Sequence, residues 1–149
     1  MAKKIRVDVV TPEKIAFSGE VEQVIAPGME GSLGVLPGHV PLLTKLGTGP
    51  VILKNAGDIV ELAVSEGFLE VMPQKVVILA ETAERAEEID VARAQAALER
   101  AQAELEERGD RQQHAQAVAA LRRAANRLHV VEDYRKRKPE RSGRLKQAR

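Results

Sequence analysis

Ile5, Val7 and Val9 alternate with Arg6 and Asp8 at the head of the chain, the period-two pattern of a half-buried strand. Similar short runs follow at Lys14–Phe17, Val21–Ala26, Ser32–Leu36, Val51–Lys54, Ile59–Val64, Phe68–Met72 and Val76–Ala80. Turn signals separate them: Ser18-Gly19, Pro27-Gly28, Pro37-Gly38, Ala56-Gly57-Asp58 and Pro73-Gln74. Seven or eight short strands at this spacing predict an antiparallel sandwich or barrel.

Near residue 81 the pattern changes. Nine of the 11 glycines and six of the 7 prolines lie before that point. After it, Ala, Arg, Glu and Gln repeat at helical spacing. Helical character begins between Glu84 and Asp90 and runs to about Arg108, where Gly109-Asp110 breaks it; a second helix spans about Gln112 to Arg135. The first carries an apolar stripe at Ala94, Leu98, Ala101 and Leu105, the second at Val118, Leu121, Ala125 and Leu128. Two helices joined by a short break make an αα-hairpin. Alanine-rich stripes allow close approach but bury little area, so the seam is weak. The fold class is therefore α+β: a β-sandwich over 1–84, a helical hairpin arm over 85–136 and a basic tail over 137–149, expected to be disordered.

Charge sharpens this division. Residues 1–80 carry seven Lys/Arg against nine Asp/Glu, and residues 81–134 carry eight against twelve. Residues 135–149 carry eight against one, so the basic character is confined to the tail. With Phe17, Phe68 and Tyr134 as the only aromatics, a base-stacking surface is missing, and no nucleic-acid partner is expected. There are no cysteines for disulfides or thiolate chemistry. The uncharged stretch of residues 31–44 is interrupted by Gly34, Pro37, Gly38 and Pro41, which rules it out as a spanning helix. The start of the chain runs straight into a strand with no apolar signal core, which predicts a soluble cytoplasmic protein.

Few residues suggest chemistry. The Gly-Pro loop from Gly28 to Pro41 lacks the Gly-Lys-Ser/Thr ending of a phosphate loop and reads as tight turns. His39, His114 and His129 have no second ligand at metal spacing. Ser65-Glu66-Gly67 is not a nucleophile elbow. No catalytic residue and no metal site are expected. Asp90 falls in line with Ala94, Ala97 and Ala101; Arg93 and Arg100 share one flank, and Arg123 and Arg127 form an i,i+4 pair. Folding the hairpin would gather guanidinium groups and one carboxylate along its seam, an arrangement suited to phosphate oxygens. The same residues also read as a helix cap and exposed salt-bridge partners.

These motifs, with several others, resemble the epsilon subunit of bacterial F-type ATP synthases. The matching stretches are Val9-Val10-Thr11-Pro12, Phe17-Ser18-Gly19, Leu33-Gly34-Val35-Leu36-Pro37-Gly38-His39-Val40-Pro41-Leu42, Gly67-Phe68-Leu69-Glu70-Val71, Ile89-Asp90-Val91-Ala92-Arg93-Ala94 and Asn126-Arg127-Leu128. The resemblance implies a non-catalytic central-stalk rotor part on the cytoplasmic face of the membrane, touching the membrane only through its complex. The sandwich would bind the gamma subunit and the c-subunit ring. The helices would lie folded or extend toward the alpha/beta catalytic head and block ATP hydrolysis. No cofactor is required. Some bacterial members bind a regulatory ATP without hydrolysing it, and their ligand pattern maps onto Glu84, Ile89, Asp90, Arg93, Arg100, Arg123 and Arg127. The resemblance also implies contact with the c ring or gamma at Ser32 and His39, with Ser32 standing where the family often has Glu. The competing class is a free-standing nucleotide-binding sensor or adaptor whose hairpin closes on its ligand; a weaker third class is a nucleic-acid adaptor using the tail.

Overall fold

A computed structural model describes residues 3–147, with side chains described as far as Arg137. The chain divides into two compact units, Met1–Arg85 and Ala86–Arg149.

The first unit contains ten strands: β1 (Ile5–Val10), β2 (Ile15–Val21), β3 (Gln23–Gly28), β4 (Gly31–Val35), β5 (Leu42–Leu46), β6 (Gly49–Asn55), β7 (Asp58–Val64), β8 (Gly67–Met72), β9 (Lys75–Ala80) and β10 (Ala83–Arg85). Their order is β10-β7-β6-β3-β5-β8-β9-β1-β2, with β4 paired to β3. Every pairing is antiparallel except β1 with β9. The two ends of this path meet. The Arg85 guanidinium on β10 lies 5.5 Å from the centre of the Phe17 ring on β2, and its Nε donates to the Ala16 carbonyl at 3.3 Å. The closed sheet encloses one core of alternate residues, including Ile5, Val7, Val9, Leu53, Leu62, Leu69, Val71 and Ile78.

Two strands depart from the sequence expectation. Leu42–Leu46, only five residues between Pro41 and Gly47, is not among the expected strands; pairing with β8 along its whole length makes it one. Ala83–Arg85 sits where helical character is expected to begin. There, Ala83 pairs with Val64 and Arg85 with Leu62, so sheet hydrogen bonds override helix propensity.

In the second unit a 3-10 turn (Ala86–Glu88) leads into α1 (Val91–Glu106) and α2 (Arg111–Gln147), which pack against each other. Between the helices, Asp110 and Gln113 form a reciprocal capping box: Gln113 N donates to Asp110 Oδ1 at 2.8 Å and Asp110 N to Gln113 Oε1 at 3.2 Å. Among the described residues the buried positions on α2 are Ala117, Ala124, Asn126, Val130 and Val131, not the expected stripe, whose Ala125 is exposed. Alanines seven apart on both helices (Ala94 and Ala101, Ala117 and Ala124) let the backbones approach, which leaves the larger Leu98, Leu121 and Leu128 only half-buried. The α2 helix also passes the expected end near Arg135, where Glu132–Lys136 and Asp133–Arg137 pairs at i,i+4 support it. The expected tail, 137–149, falls almost wholly on residues whose side chains lie outside those described.

Candidate functional site

Within the helical unit, Asp90 is the N-cap of α1. Its backbone is extended, and Oδ1 accepts from Arg93 N at 3.1 Å. The capping reading is thus realised, and it leaves Oδ2 outside that bond. Ile89, one residue earlier, is buried and donates its N–H to Ala86 O at 3.3 Å. Counting back from the turn at 1.5 Å per residue, Asp90 comes level with about Arg127 and Arg93 with about Ala124. Asp90, Arg93, Arg123 and Arg127 therefore share one end of the hairpin. Arg100 stands roughly 10 Å nearer the turn. Arg93 and Arg100 are exposed; Arg123 and Arg127 are half-buried.

Glu84 belongs to the other unit. It is half-buried in β10, opposite Ala63 of β7. On the same face of β7, two residues from Ala63, lies Glu61, fully buried at 0% exposure. A Glu inside the run Ile59–Val64 is the sequence signal for it. Ser32 is exposed near the start of β4, opposite Pro27. His39 closes the turn beyond the other end of β4, its N–H donating to Leu36 O at 3.1 Å and Nδ1 lying 2.7 Å from Val40 O. The two do not adjoin, because β4 runs between them. Ser65 Oγ accepts from Thr82 N and from Thr82 Oγ1, both at 2.8 Å, and so ties the β7–β8 turn to the end of β9. Among the described residues no group of His, Asp and Glu could hold a metal ion.

An exposed apolar row crosses the outer face of the sandwich. Phe68 pairs with Leu79, Leu79 with Val10 and Val10 with Ile15, so the four side chains line up across β8, β9, β1 and β2. Ile15, Phe68 and Leu79 are 67%, 48% and 50% exposed. A β-bulge at Val9/Val10 re-aims Ile15 to this face; unbroken alternation would have placed it with inward Phe17. Beside the row runs a charged one. Ser18 Oγ donates to Asp8 Oδ1 at 2.7 Å, Arg6 Nη2 donates to Ser18 Oγ at 2.7 Å, and Lys75 Nζ is 3.4 Å from Asp8 Oδ2. The Ser18 hydrogen bond, aided by Lys75 and Arg6, outweighs partial burial and holds the Asp8 carboxyl below its ordinary pKa. The sequence signal for the row is the unbroken run Val76–Ala80, which is apolar on both faces of its strand.

A closed sheet that exposes an apolar row, with Met29, Leu36, Val40 and Leu43 exposed elsewhere on it, followed by an alanine-seamed helical arm, defines a docking module with an appended arm. The ATP synthase delta/epsilon chain β-sandwich domain matches residues 4–86, and the ATP synthase delta/epsilon chain long α-helix domain matches residues 87–132. The chain belongs to the ATP synthase delta/epsilon family. It is 47% identical over 132 residues to the ATP synthase epsilon chain of Desulforamulus reducens, covering 89% of this chain and 100% of that one. It is 54% identical over 106 residues to the epsilon chain of Brevibacillus brevis, covering 70% and 80%. Among solved structures, a chain of the Euglena gracilis mitochondrial ATP synthase (OSCP/F1/c-ring) aligns with a TM-score of 0.71 at 26% identity, covering 80% of this chain and 76% of that one. A chain of the Tetrahymena thermophila mitochondrial central stalk and c ring shares the fold, with a TM-score of 0.55 at 16% identity over 89% and 96%. The resemblance to the epsilon subunit read from the sequence is borne out.

Proposed function

We propose that this chain is a non-catalytic rotor part of an F-type ATP synthase. Its sandwich docks on the gamma subunit and the c ring, and its arm restrains ATP hydrolysis by the catalytic head. The observation that carries the docking role is the exposed row Phe68–Leu79–Val10–Ile15, flanked by the Asp8, Arg6 and Lys75 charges. Burying one large apolar side chain contributes about 1.5–3 kcal/mol, so a few such residues suffice for stable docking on a shaft of complementary shape. No helix among the described residues is long and apolar enough to cross a membrane, consistent with peripheral attachment through the complex.

The arm carries the regulatory part of the proposal. Asp90, Arg93, Arg123 and Arg127 hold ATP phosphates and ribose at the shared end of the hairpin, with Arg100 and Ile89 completing the set within this unit. A ligand that binds only the folded arm biases it by about 2.7 kcal/mol at 100 times its dissociation constant. The small alanine seam is weak enough for that bias to matter. Extension when ATP is scarce would stop wasteful hydrolysis.

Co-purification with gamma tests the docking. Phe68→Glu with Ile15→Glu should weaken capture of gamma more than tenfold, while Ala125→Glu on the exposed face of α2 should not. Unchanged capture by the double variant would overturn it. For the arm, titration calorimetry should show ATP binding weakened about tenfold or more by Arg93→Ala or Arg127→Ala. Absence of binding by the unaltered protein at millimolar ATP would remove the sensor role.

A further inference from the structure

The outer face of the sandwich carries a carboxylate that no described residue answers. Asp8, Val77, Glu70 and Leu43 fall in one line across β1, β9, β8 and β5, since Asp8 pairs with Val77, Val77 with Glu70 and Glu70 with Leu43. The two acids of this line differ. Asp8 is satisfied within the sheet: Ser18 Oγ donates to it at 2.7 Å, and Lys75 Nζ and Arg6 Nη2 lie 3.4 and 3.5 Å from its oxygens. Glu70 is exposed, and among the described residues it has no hydrogen-bond or ion-pair partner. Lys75, diagonal to Glu70 across β8 and β9, is held on Asp8. Lys45, diagonal to it across β5 and β8, is exposed and makes no ion pair with it.

The positions around Glu70 are apolar. Leu43 and Val77 stand opposite it on the two neighbouring strands, and Phe68 and Met72, two residues to either side on β8, share its face. Leu43 and Phe68 are 70% and 48% exposed, while Val77 and Met72 are half-buried. Directly opposed side chains stand only about 4.5–5.5 Å apart at Cβ, so a surface that covers Leu43 and Phe68 also covers the carboxylate between them. Taking a lone carboxylate out of water costs more than burying one neighbouring apolar side chain returns, whereas a carboxylate met by a cation is tolerated and discriminates between partners. We propose that Glu70 is a specificity-determining residue of the docking face, and that it receives a cationic side chain of gamma set within the apolar surface that covers Phe68, Leu79 and Leu43. A guanidinium suits this place best, because it is weakly hydrated and forks onto a carboxylate. The apolar row supplies adhesion and Glu70 fixes register: a partner shifted by two residues along β8 would set its cation against Phe68 or Met72. Asp8 cannot take over this role, because Arg6 and Lys75 already offset its charge. The proposal rests on the docking reading above.

Binding of the full-length chain to purified gamma subunit tests it, with association and dissociation rates followed separately. Glu70→Gln keeps the size of the side chain and removes its charge. It should weaken binding about tenfold or more, chiefly through faster dissociation. Glu30→Gln, in the β3–β4 turn, should change binding less than twofold. A partner that offers no cation here gives the opposite sign: Glu70→Gln would bind more tightly, because a neutral amide costs less to desolvate than a carboxylate. Tighter binding by Glu70→Gln, or binding within twofold of the unaltered chain, would overturn the proposal. Phe68→Glu with Ile15→Glu, measured alongside, separates the two failures. If that double variant loses binding and Glu70→Gln does not, the docking face stands and the role of Glu70 falls. If neither loses binding, the docking reading itself falls.

Discussion

Gly67 is where the geometry makes its sharpest demand. It opens β8 opposite Ala80, immediately before Phe68 of the exposed row. A Cβ placed there would lie 1.8 Å from Leu79 O, 2.8 Å from Leu79 C and 2.9 Å from Ala80 Cα. All three are backbone atoms, so no side-chain rotation relieves the clash. Reaching a 3.0 Å contact requires β9 to retreat about 1.2 Å at this point. That displacement breaks the local ladder, at about 0.5–1.5 kcal/mol per hydrogen bond, and disturbs the packing of buried Ile78 and Ala80. Gly67→Ala should therefore destabilise the sandwich by about 3 kcal/mol, in the tail of single-substitution effects. For a unit of this size its melting temperature should fall by more than about 10 °C. Gly34→Ala is the control: its nearest neighbour would be Gln23 Nε2 at 3.9 Å, and the loss of unfolded-state freedom should make it neutral or stabilising by up to about 1 kcal/mol. Urea unfolding followed by circular dichroism, on the fragment ending at Arg85 and on the whole chain, reads both. A Gly67→Ala protein within about 0.5 kcal/mol of the original would refute the close approach of β8 and β9.

Three further outcomes are expected. Asp110→Ala removes the capping box and should lower arm stability by about 1 kcal/mol, seen as faster amide exchange over residues 111–114 with the sandwich unchanged. Ala56 is held at φ 51° in the β6–β7 turn, so Ala56→Gly should raise sandwich stability by about 0.5–1 kcal/mol in urea unfolding; a loss would mean that the left-handed conformation is absent. Asp8 titrates below its ordinary value when folded, so its stabilising contribution is present above the unfolded carboxylate range and is lost as pH falls through the lower, folded pKa. Asp8→Asn should therefore flatten the acid limb of the stability profile, and an unchanged slope would show that the Ser18, Arg6 and Lys75 contacts are not maintained in solution.

Local pattern carried much of this protein. Alternation at Ile5, Val7 and Val9 predicts an inward face that is buried in the structure, and the shift from turn residues to Ala, Glu and Arg locates the change from sheet to helix. These properties depend on neighbours in sequence, where side-chain period and turn chemistry act directly. Asp90 is legible as a cap for the same reason. What depends on partners distant in sequence is not legible. The strand at Leu42–Leu46 exists because β8 lies beside it, and Ala83–Arg85 joins the sheet because β7 offers an edge. The alanine line of α2 is chosen by the close approach of α1, which favours small residues over the larger Val118, Leu121 and Leu128 of the expected stripe. Only the pairing of β8, β9, β1 and β2, with a bulge at Val9/Val10, sets Phe68, Leu79, Val10 and Ile15 in one row. Periodicity says which way a side chain points within its own strand; register and a single bulge decide which distant side chains share its surface.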